Sequence, residues 1–529
     1  MKIIQNVFIA AFSVILFFGG LEAGFRLAPH SIKTYYDEQT ERALGSPVPQ
    51  KEKGEYRIFL FGGSSAYGFP VADRYSITAW LRKSFTLLLP EKPVKVVNCG
   101  WPGKGSQYVV EGVRAVLKYK PDLYIIYSGS NDFPISNRLF TDNLIYRLHL
   151  QLSFRSAFYR FLDNRLNRVR KKIVYGHSGY PEKYYREEVI AKKFYKKTTV
   201  DDEEDRQIIE QHSKNMQDIA RFALEQGVDV IFLSVPSNIR DIPPGDSTNR
   251  EGLNSSDKTK WQQWFEQGQT LEKEKRFVEA IHAYQEAQTI DPTHAGLEYR
   301  LAIIYEMIGD YVAAKKAYTL AGDFDREPTR AKSKMNETIR QVSEKYGFMF
   351  VDIVSIFEKL SSHGIITSEF IYDDVHPTVK AQQIIVDEIL RTLMQKGKIA
   401  PPEKWDWQAL DKARETPPTN EEWKAGEDFN DYRVLLRGLH LWGQGNYSEC
   451  VKDLQKSLEE TPKFIEAYAF LADAYLHLNE IEKAQSAFKT LDEKDPSLFR
   501  LLLTKYPEIQ ESYSKVMKGM PNAVVKTSI

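Results

Sequence analysis

The sequence contains little cysteine and no excess of charge of either sign, and both features exclude whole classes of protein. Its two cysteines, Cys99 and Cys450, lie far apart in 529 residues, so they form neither a disulfide framework nor a cysteine-rich zinc site. Lysine plus arginine and aspartate plus glutamate both number 72, which gives a formal net charge of zero. A general nucleic-acid binder normally has a strongly basic domain, so we expect no nucleic-acid partner.

Long apolar runs are also scarce, and one segment alone, residues 3–20, has the length to cross a membrane as a helix. A cleaved secretory signal and a buried core helix are alternatives, but Leu21-Glu22-Ala23 makes a poor cleavage site. We therefore predict an anchoring transmembrane helix within residues 1–30. The rest of the chain would then lie outside the cytoplasm, in a periplasm or at the cell surface.

The chain does contain enough apolar residues for several cores. Hydrophobic residues make up 42% and aromatic residues 12%, which excludes wholesale disorder. At roughly 150 residues per domain, the length indicates three or four structural units.

Short apolar runs that end in turn residues alternate with helical patterns. The predicted strands are residues 57–61, 94–97, 123–127, 229–234 and 349–353. Strands that alternate with helices form βαβ crossovers, so we predict the α/β class, with a parallel sheet covered on both faces. In such sheets the chemistry lies in loops beyond the carboxyl ends of the strands.

Two other stretches carry small and large residues at a spacing of 34, which is typical of tetratricopeptide repeats. The first contains Trp264, Gly268, Leu271, Ala280, Tyr284 and Ala287, then Ala302, Tyr305, Ala314, Tyr318 and Ala321; the second contains Gly438, Leu441, Cys450 and Pro462, then Ala472, Tyr475, Ala484 and Pro496. Cys450 occupies an alanine position, so we expect a buried filler rather than a reactive thiol. Such helical hairpins predict a protein partner.

These patterns divide the chain into seven predicted parts. They are an anchor at 1–30, a tether at 31–54, the first part of the α/β domain at 55–257, an inserted repeat pair at 258–328, the second part of the α/β domain at 329–400, a linker at 401–428, and a C-terminal repeat pair with a capping helix at 429–529.

Four groups of residues that could take part in catalysis lie in the loops of the α/β domain. Ser64 stands in a glycine-flanked turn after the first strand, which can expose a nucleophile. Gly103 follows the second strand and lets a backbone N–H approach a ligand. Asn131 follows the third strand, where its amide could donate to a developing oxyanion. Asp373 lies three residues before His376 and can orient its imidazole, so together the groups supply the parts of acyl-transfer chemistry.

Each of these residues, taken singly, also has a plainer structural explanation. His376 could cap the following helix, Asn131 could form a turn, and Asp373 could be a solvated acid. The turn around Ser64 could cap a helix or bind phosphate, although it lacks the lysine of a nucleotide-binding loop. The order and placement of all four groups favour the functional interpretation.

In this order the motifs resemble those of the SGNH (GDSL-type) hydrolase superfamily, named for Ser, Gly, Asn and His in four blocks. The matching segments are Gly62-Gly63-Ser64, Asn98 to Ser106, Gly129 to Asp132 and Asp373 to His376. Gly63 departs from the usual aspartate of the first block. The similarity covers about residues 55–242 and 335–398.

The resemblance implies a three-layer α/β/α fold and an esterase with a Ser-His-Asp triad. His376, steered by Asp373, would take the proton of Ser64, which would attack an ester and form an acyl-enzyme. The backbone N–H groups of Ser64 and Gly103 and the amide of Asn131 would hold the oxyanion. Neither a metal nor an organic cofactor is implied.

The leading hypothesis is therefore a membrane-anchored, extracytoplasmic serine esterase, with O-acyl groups of envelope glycans or lipids as the substrate class suggested by its location. An O-acyltransferase, in which a sugar hydroxyl replaces water, stays open. From another class, a tetratricopeptide scaffold or assembly factor of an envelope polysaccharide complex is the main alternative. A carbohydrate-binding module with a vestigial site is a third hypothesis.

Overall fold

A computed structural model describes most of the chain between residues 33 and 518. The described residues are 33–69, 75–134, 144–163, 199–400, 407–414, 447–460, 464–505 and 507–518, with the single residues 20, 24, 165, 438, 442 and 462. The predicted membrane segment, residues 3–20, lies outside this set except for Gly20. Among the helices of the described residues, none is long and apolar enough to cross a membrane.

The centre of the α/β domain is a five-stranded parallel sheet, which confirms the predicted class. The strands are β1 (Tyr56–Gly62), β2 (Val94–Gly100), β3 (Leu123–Tyr127), β4 (Asp229–Leu233) and β5 (Met349–Val351), in the spatial order β2-β1-β3-β4-β5. The last strand is shorter than predicted because the side chain of Asp352 accepts the N–H of Ser355 and caps the next helix.

Helices cover the sheet and connect its strands. In the α/β domain they are α1 (Tyr35–Leu44), α2 (Ser64–Tyr67), α3 (Ile77–Leu88), α4 (Ser106–Ala115), α5 (Leu144–Arg155), α6 (Asp202–Gln226), α11 (Ser333–Tyr346), α12 (Ile353–Leu360), α13 (Val379–Gln395) and α14 (Trp407–Arg414). Every residue of β3 is buried, so the two faces of the sheet centre are both covered. This burial explains why the strands appear in the sequence as continuous apolar runs.

The predicted tether, residues 31–54, differs from expectation because it contains α1. The side chain of Thr34 accepts the N–H of Asp37, and the side chain of Asp37 accepts the N–H of Thr34, which closes a capping box. Tyr36 is 1% exposed, and its ring lies where a Cβ on Gly112 would come within 2.6 Å. Tyr35 of the same helix stacks on Trp101 with 4.2 Å between ring centroids. The helix is otherwise polar, so its docking through these two rings left little trace in the sequence.

The inserted repeats form two helical hairpins between β4 and β5. Their helices are α7 (Ser255–Lys273), α8 (Phe277–Ile290), α9 (Ala295–Met307) and α10 (Tyr311–Phe324). A Cβ on Gly268 would lie 2.5 Å from the ring of Tyr284, so the absent side chain lets α7 and α8 pack closely. This is the physical reason for small residues at fixed places in the repeat.

The C-terminal repeats belong to a second compact unit, residues 69–74 with 419–529, while the first comprises 1–68 with 75–418. The described helices of the second unit are α15 (Tyr447–Glu460), α16 (Ala467–His477), α17 (Ile481–Lys494), α18 (Pro496–Lys505) and α19 (Pro507–Lys518). Cys450 is fully buried on α15, as expected for a filler. The predicted capping helix is divided into α18 and α19, and Pro507 opens the second of these, a favoured place for proline.

Replacing Tyr36 with alanine should destabilise the first unit by about 3–5 kcal/mol, because it empties an aromatic site in the core. Chemical denaturation of the full chain measures the change. Glu38→Ala, an exposed position on the same helix, is the matched control and should alter stability by no more than about 0.5 kcal/mol. Equal effects of the two substitutions would mean that α1 does not belong to the core.

Candidate active site

The turn after β1 is built from two glycines that allow close approach of neighbouring loops. A Cβ on Gly62 would lie 1.9 Å from the carbonyl oxygen of Tyr127, and a Cβ on Gly63 would lie 2.1 Å from Nδ2 of Asn131. Position 62 therefore has no room for a larger residue, whereas a side chain at position 63 would require the Asn131 amide to move. The turn then places Ser64 as the first residue of the short helix α2, at the carboxyl end of the sheet.

Three of the predicted residues form one continuous hydrogen-bonded chain. Nε2 of His376 lies 2.7 Å from Oγ of Ser64, and Nδ1 of His376 lies 2.6 Å from Oδ2 of Asp373. The side chain of His376 is 12% exposed and that of Asp373 is 27% exposed, so the chain lies near the surface but largely out of solvent. This order of groups can move a proton from the hydroxyl to the ring while the carboxylate fixes the tautomer.

Hydrogen bonds within the loop hold the segment that carries His376. Oδ1 of Asp373 accepts the N–H groups of Val375 and His376, both at 2.9 Å. The N–H of Tyr372 donates to the carbonyl of His376 at 2.8 Å. The helix cap is Thr378, whose side chain accepts the N–H of Ala381, so capping does not explain His376.

The charges around the ring shift the pKa values of the whole group. Burial alone would lower the pKa of His376, but the charge and hydrogen bond of Asp373, together with the charge of Asp374, raise that pKa above its ordinary value. Burial alone would raise the pKa of Asp373, but the charge and hydrogen bond of His376 lower it to about 2. Burial and the negative charge of Asp373 raise the pKa of Asp374 to about 6. The carboxylate beside the ring therefore stays ionised near neutral pH.

Asn131 lies in the same pocket as Ser64. The pocket is a small cleft lined by residues 63–65, Lys104, 127–131 and Val235. The Nδ2 group of Asn131 donates to the carbonyl of Lys104 at 3.4 Å, so the amide faces the glycine turn and the pocket.

Gly103 lies in the loop between β2 and α4. It is the neighbour of Lys104, which lines the pocket, but it is not itself among the lining residues. Its φ is +73°, in the left-handed region, and a Cβ there would meet nothing within 4 Å. The backbone conformation, rather than a close contact, therefore favours glycine at this position.

A separate set of hydrogen bonds joins the loops that follow β2 and β3. Oδ1 of Asp132 accepts the backbone N–H of Ser106 at 3.1 Å and also its hydroxyl. Asn215 of α6 donates to the same hydroxyl at 2.8 Å. The loops of Gly103 and Asn131 are therefore tied together behind the pocket.

One cluster has the composition of a metal site. Asp373, Asp374 and His376 each offer a ligand atom, and the three atoms lie within 4.8 Å of one another. Both nitrogens of the His376 ring, however, already face Asp373 and Ser64 at hydrogen-bonding distance. The donor set as arranged therefore fits proton transfer better than metal binding.

Three residues of the site were not identified in the sequence. The hydroxyl of Ser65 donates to the carbonyl of Val375 at 2.9 Å and ties the serine turn to the histidine loop. Asp374 adds negative charge beside His376, and Asp132 joins the loops described above. Asp374 and Asp132 stand next to predicted site residues, but only the folded chain shows which groups they contact.

A family model for the tetratricopeptide repeat matches residues 271–336 and 441–506, which confirms the predicted repeats. The human Superkiller complex protein 3 is 23% identical over 263 residues, which are 46% of this chain but only 14% of that protein.

Two solved structures, one of an esterase and one of an α/β hydrolase, have a weak similarity to this chain. An acetylxylan esterase from Geobacillus stearothermophilus has 12% identity and a TM-score of 0.29, over 66% of this chain and 95% of its own. LAE5, an α/β hydrolase enzyme from the Lake Arreo metagenome, has 12% identity and a TM-score of 0.28, over 64% and 94%. Values this low assign neither an activity nor a substrate to this chain.

The ring of His376 should titrate with a pKa above 6.5, because the charge and hydrogen bond of Asp373 and the charge of Asp374 together stabilise its protonated form more than burial disfavours it. Asp373→Asn removes that charge, so the pKa should fall. Asp374→Asn should lower it less, because the charge of Asp374 contributes less to the shift than Asp373 does. NMR of histidine-labelled protein, with His376→Gln to assign the signal, measures the change. A wild-type pKa of His376 at or below 6.5 would show that the neighbouring carboxylates do not stabilise the protonated ring as the structure indicates.

Proposed function

We propose that this chain is a serine esterase of the SGNH type that works through an acyl-enzyme. The observation that carries the proposal is the unbroken chain Ser64–His376–Asp373, with distances of 2.7 and 2.6 Å, beside a pocket that also holds Asn131. A nucleophile, a base and an orienting acid in this geometry are the set that acyl transfer requires.

The reaction begins with neutral His376, whose Nδ1–H donates to Asp373 and whose Nε2 accepts the proton of Ser64. As that proton moves, Oγ of Ser64 bonds to the ester carbonyl carbon and the carbonyl oxygen becomes negative. The protonated ring then gives its proton to the leaving alkoxide, and the C–O ester bond breaks. Water, activated by the same ring, cleaves the acyl-enzyme and restores the hydroxyl.

The negative oxygen of the intermediate would be stabilised by donors at the turn. Asn131 and Ser64 both line the pocket, and Gly103 is adjacent to its lining through Lys104. Each donor of this kind contributes about 3 kcal/mol to lowering a barrier.

The substrate class and the location are further parts of the proposal. The proposed substrate is an O-acyl ester, and a sugar hydroxyl in place of water would make the chain an O-acyltransferase. Anchoring through residues 3–20, and hence a position outside the cytoplasm facing envelope glycans or lipids, is supported by the apolar run alone.

A scaffold role is the second candidate, and the repeats support it. Two segments match the tetratricopeptide family model, and stacked hairpins of this type form extended surfaces for protein partners. The roles are compatible, because the C-terminal repeats belong to a compact unit separate from the one that contains Ser64 and His376.

Substituting the nucleophile tests the esterase directly. Ser64→Ala and His376→Ala should each abolish labelling by a fluorophosphonate probe and lower turnover of a short-chain ester by about 10⁴-fold, because either change removes the proton path. Ser65→Ala is the matched control and should still label, since its hydroxyl donates to Val375 instead. Turnover that survives in Ser64→Ala would exclude this mechanism and leave the scaffold role.

A larger residue at position 63 should lower the activity of the enzyme, although aspartate is usual at this position in proteins of the SGNH type. In Gly63→Ala the new Cβ would lie 2.1 Å from Nδ2 of Asn131, so the amide would have to move away. The resulting loss in kcat should be no larger than that of Asn131→Ala, for which the barrier should rise by about 3 kcal/mol. Because both substitutions act through one amide, the double variant should be no slower than Asn131→Ala. Additive losses in steady-state kinetics would show that Gly63 acts in another way.

A further inference from the structure

The segment that leads into the histidine loop packs on the inserted repeats. Ile365 is 2% exposed and belongs to the hydrophobic cluster formed by helices α7 to α10. The ring of His363 stacks on Tyr311 of α10 with 3.4 Å between centroids and 4° between planes. Lys315 of the same helix pairs with Glu358 at 2.7 Å. The chain just before Asp373 is therefore attached to the repeats rather than to the sheet alone.

A second segment, residues 234–243 after β4, lies beside the same loop. It begins in the pocket with Val235. The backbone N–H of Asn238 donates to the carbonyl of Asp374 at 3.2 Å, and its side chain donates to the carbonyl of Ile371 at 3.4 Å. This segment therefore supports the backbone on both sides of Asp373.

The far end of this segment is held by α9 of the repeats. Nε of Arg240 donates to both carboxylate oxygens of Glu306, at 2.8 and 3.1 Å. Glu306 is fixed in turn by the hydroxyl of Tyr318 at 2.9 Å, and the hydroxyl of Tyr299 donates to the carbonyl of Arg240. The side chain of Asp241 accepts the N–H of Ser368 at 2.7 Å, which joins the two segments to each other.

The residues that follow the repeats complete the arrangement. Arg330 is 3% exposed and donates to the carbonyls of Asn238 at 2.8 Å and of Ile242 and Pro243 at 3.1 Å. Arg330 thus holds this segment on both sides of Arg240, so the repeats and the start of the second half of the α/β domain support the same stretch of chain.

We propose that the inserted repeat pair is a positioning element for the acid–base loop, and that Arg240 is the positioning residue that connects them. This inference rests on the proposed esterase function. Glu306 and Tyr299 hold Arg240, residues 238–241 hold the backbone on either side of Asp373, and the ring of His376 keeps its distance to Ser64. The insertion is then part of the catalytic unit, and its arrangement sets the rate of the chemical step.

A purely stabilising role for the insertion predicts a different result. The Arg240 side chain is 44% exposed, and exposed ion pairs contribute little to global stability. Small displacements of a base, in contrast, lower the rate strongly even when the change is distant from the reacting atoms. Loss of the pair should therefore affect kcat far more than the melting temperature.

The test compares Arg240→Ala with Arg276→Ala in the full chain. Arg276 lies on the same repeats, is 52% exposed and also pairs with carboxylates, Glu274 and Glu279, but none of these contacts reaches the histidine loop. With a short-chain ester, Arg240→Ala should lower kcat about tenfold while KM stays within about twofold. Arg276→Ala should change neither value, and both variants should melt as the wild type does.

Two further variants show whether the effect runs through Glu306. Glu306→Gln should reproduce the loss, and the double variant with Arg240→Ala should be no slower than either single one. Arg240→Lys, which keeps the charge but reaches a single oxygen, should restore part of kcat. Losses that add in the double variant, or equal rates for Arg240→Ala and Arg276→Ala, would overturn the inference.

Amide hydrogen exchange separates failure of this inference from failure of the proposed function. Exchange in residues 366–378 should quicken in Arg240→Ala and not in Arg276→Ala, whether or not the chain hydrolyses esters. If turnover by the wild type does not depend on Ser64, the proposed esterase function is refuted. The exchange result still tests whether Arg240 positions the histidine loop. Unchanged exchange in Arg240→Ala would refute the positioning role by itself.

Discussion

The ring of His376 is held by two hydrogen bonds at once, 2.6 Å from Asp373 on one nitrogen and 2.7 Å from Ser64 on the other. The first bond sets the tautomer, which leaves the second nitrogen a lone pair for the hydroxyl. Proton transfer requires both distances together. Because Ser64 and His376 stand 312 positions apart in the chain, the sheet and its connections must hold two remote loops in register.

A parallel sheet meets this requirement because all its strands end at the same edge. Gly62 at the end of β1 pairs with Gly100 of β2 and Tyr127 of β3, so the three following loops start side by side. Glycine at position 62 then lets the carbonyl of Tyr127 approach to a distance that any side chain would forbid, and glycine at position 63 leaves space for the Asn131 amide. A Cβ at position 63 would require the Asn131 amide to move, which gives Gly63 a physical explanation.

The repeat insertion is accommodated because it leaves and re-enters the domain without disturbing strand pairing. β4 and β5 flank the insertion in sequence and still pair directly, with Ile231 opposite Met349. The chain departs from the carboxyl end of β4, so the inserted helices emerge at the edge where the site loops lie. The hydrophobic cluster of the repeats then takes in Ile365 from the segment before Asp373.

Local patterns in the sequence determined the elements and the candidate residues. The apolar run at 123–127 predicted β3 with its observed bounds, the 34-residue spacing predicted the hairpins, and the motif order identified Ser64, Asn131, Asp373 and His376. The docking of Tyr36 beside Gly112, the bond from Ser65 to Val375 and the contact of Arg240 with Glu306 had no such signal. Periodicity and propensity act between near neighbours, whereas distances between remote side chains are set by how whole elements pack, and only the tertiary structure decided those.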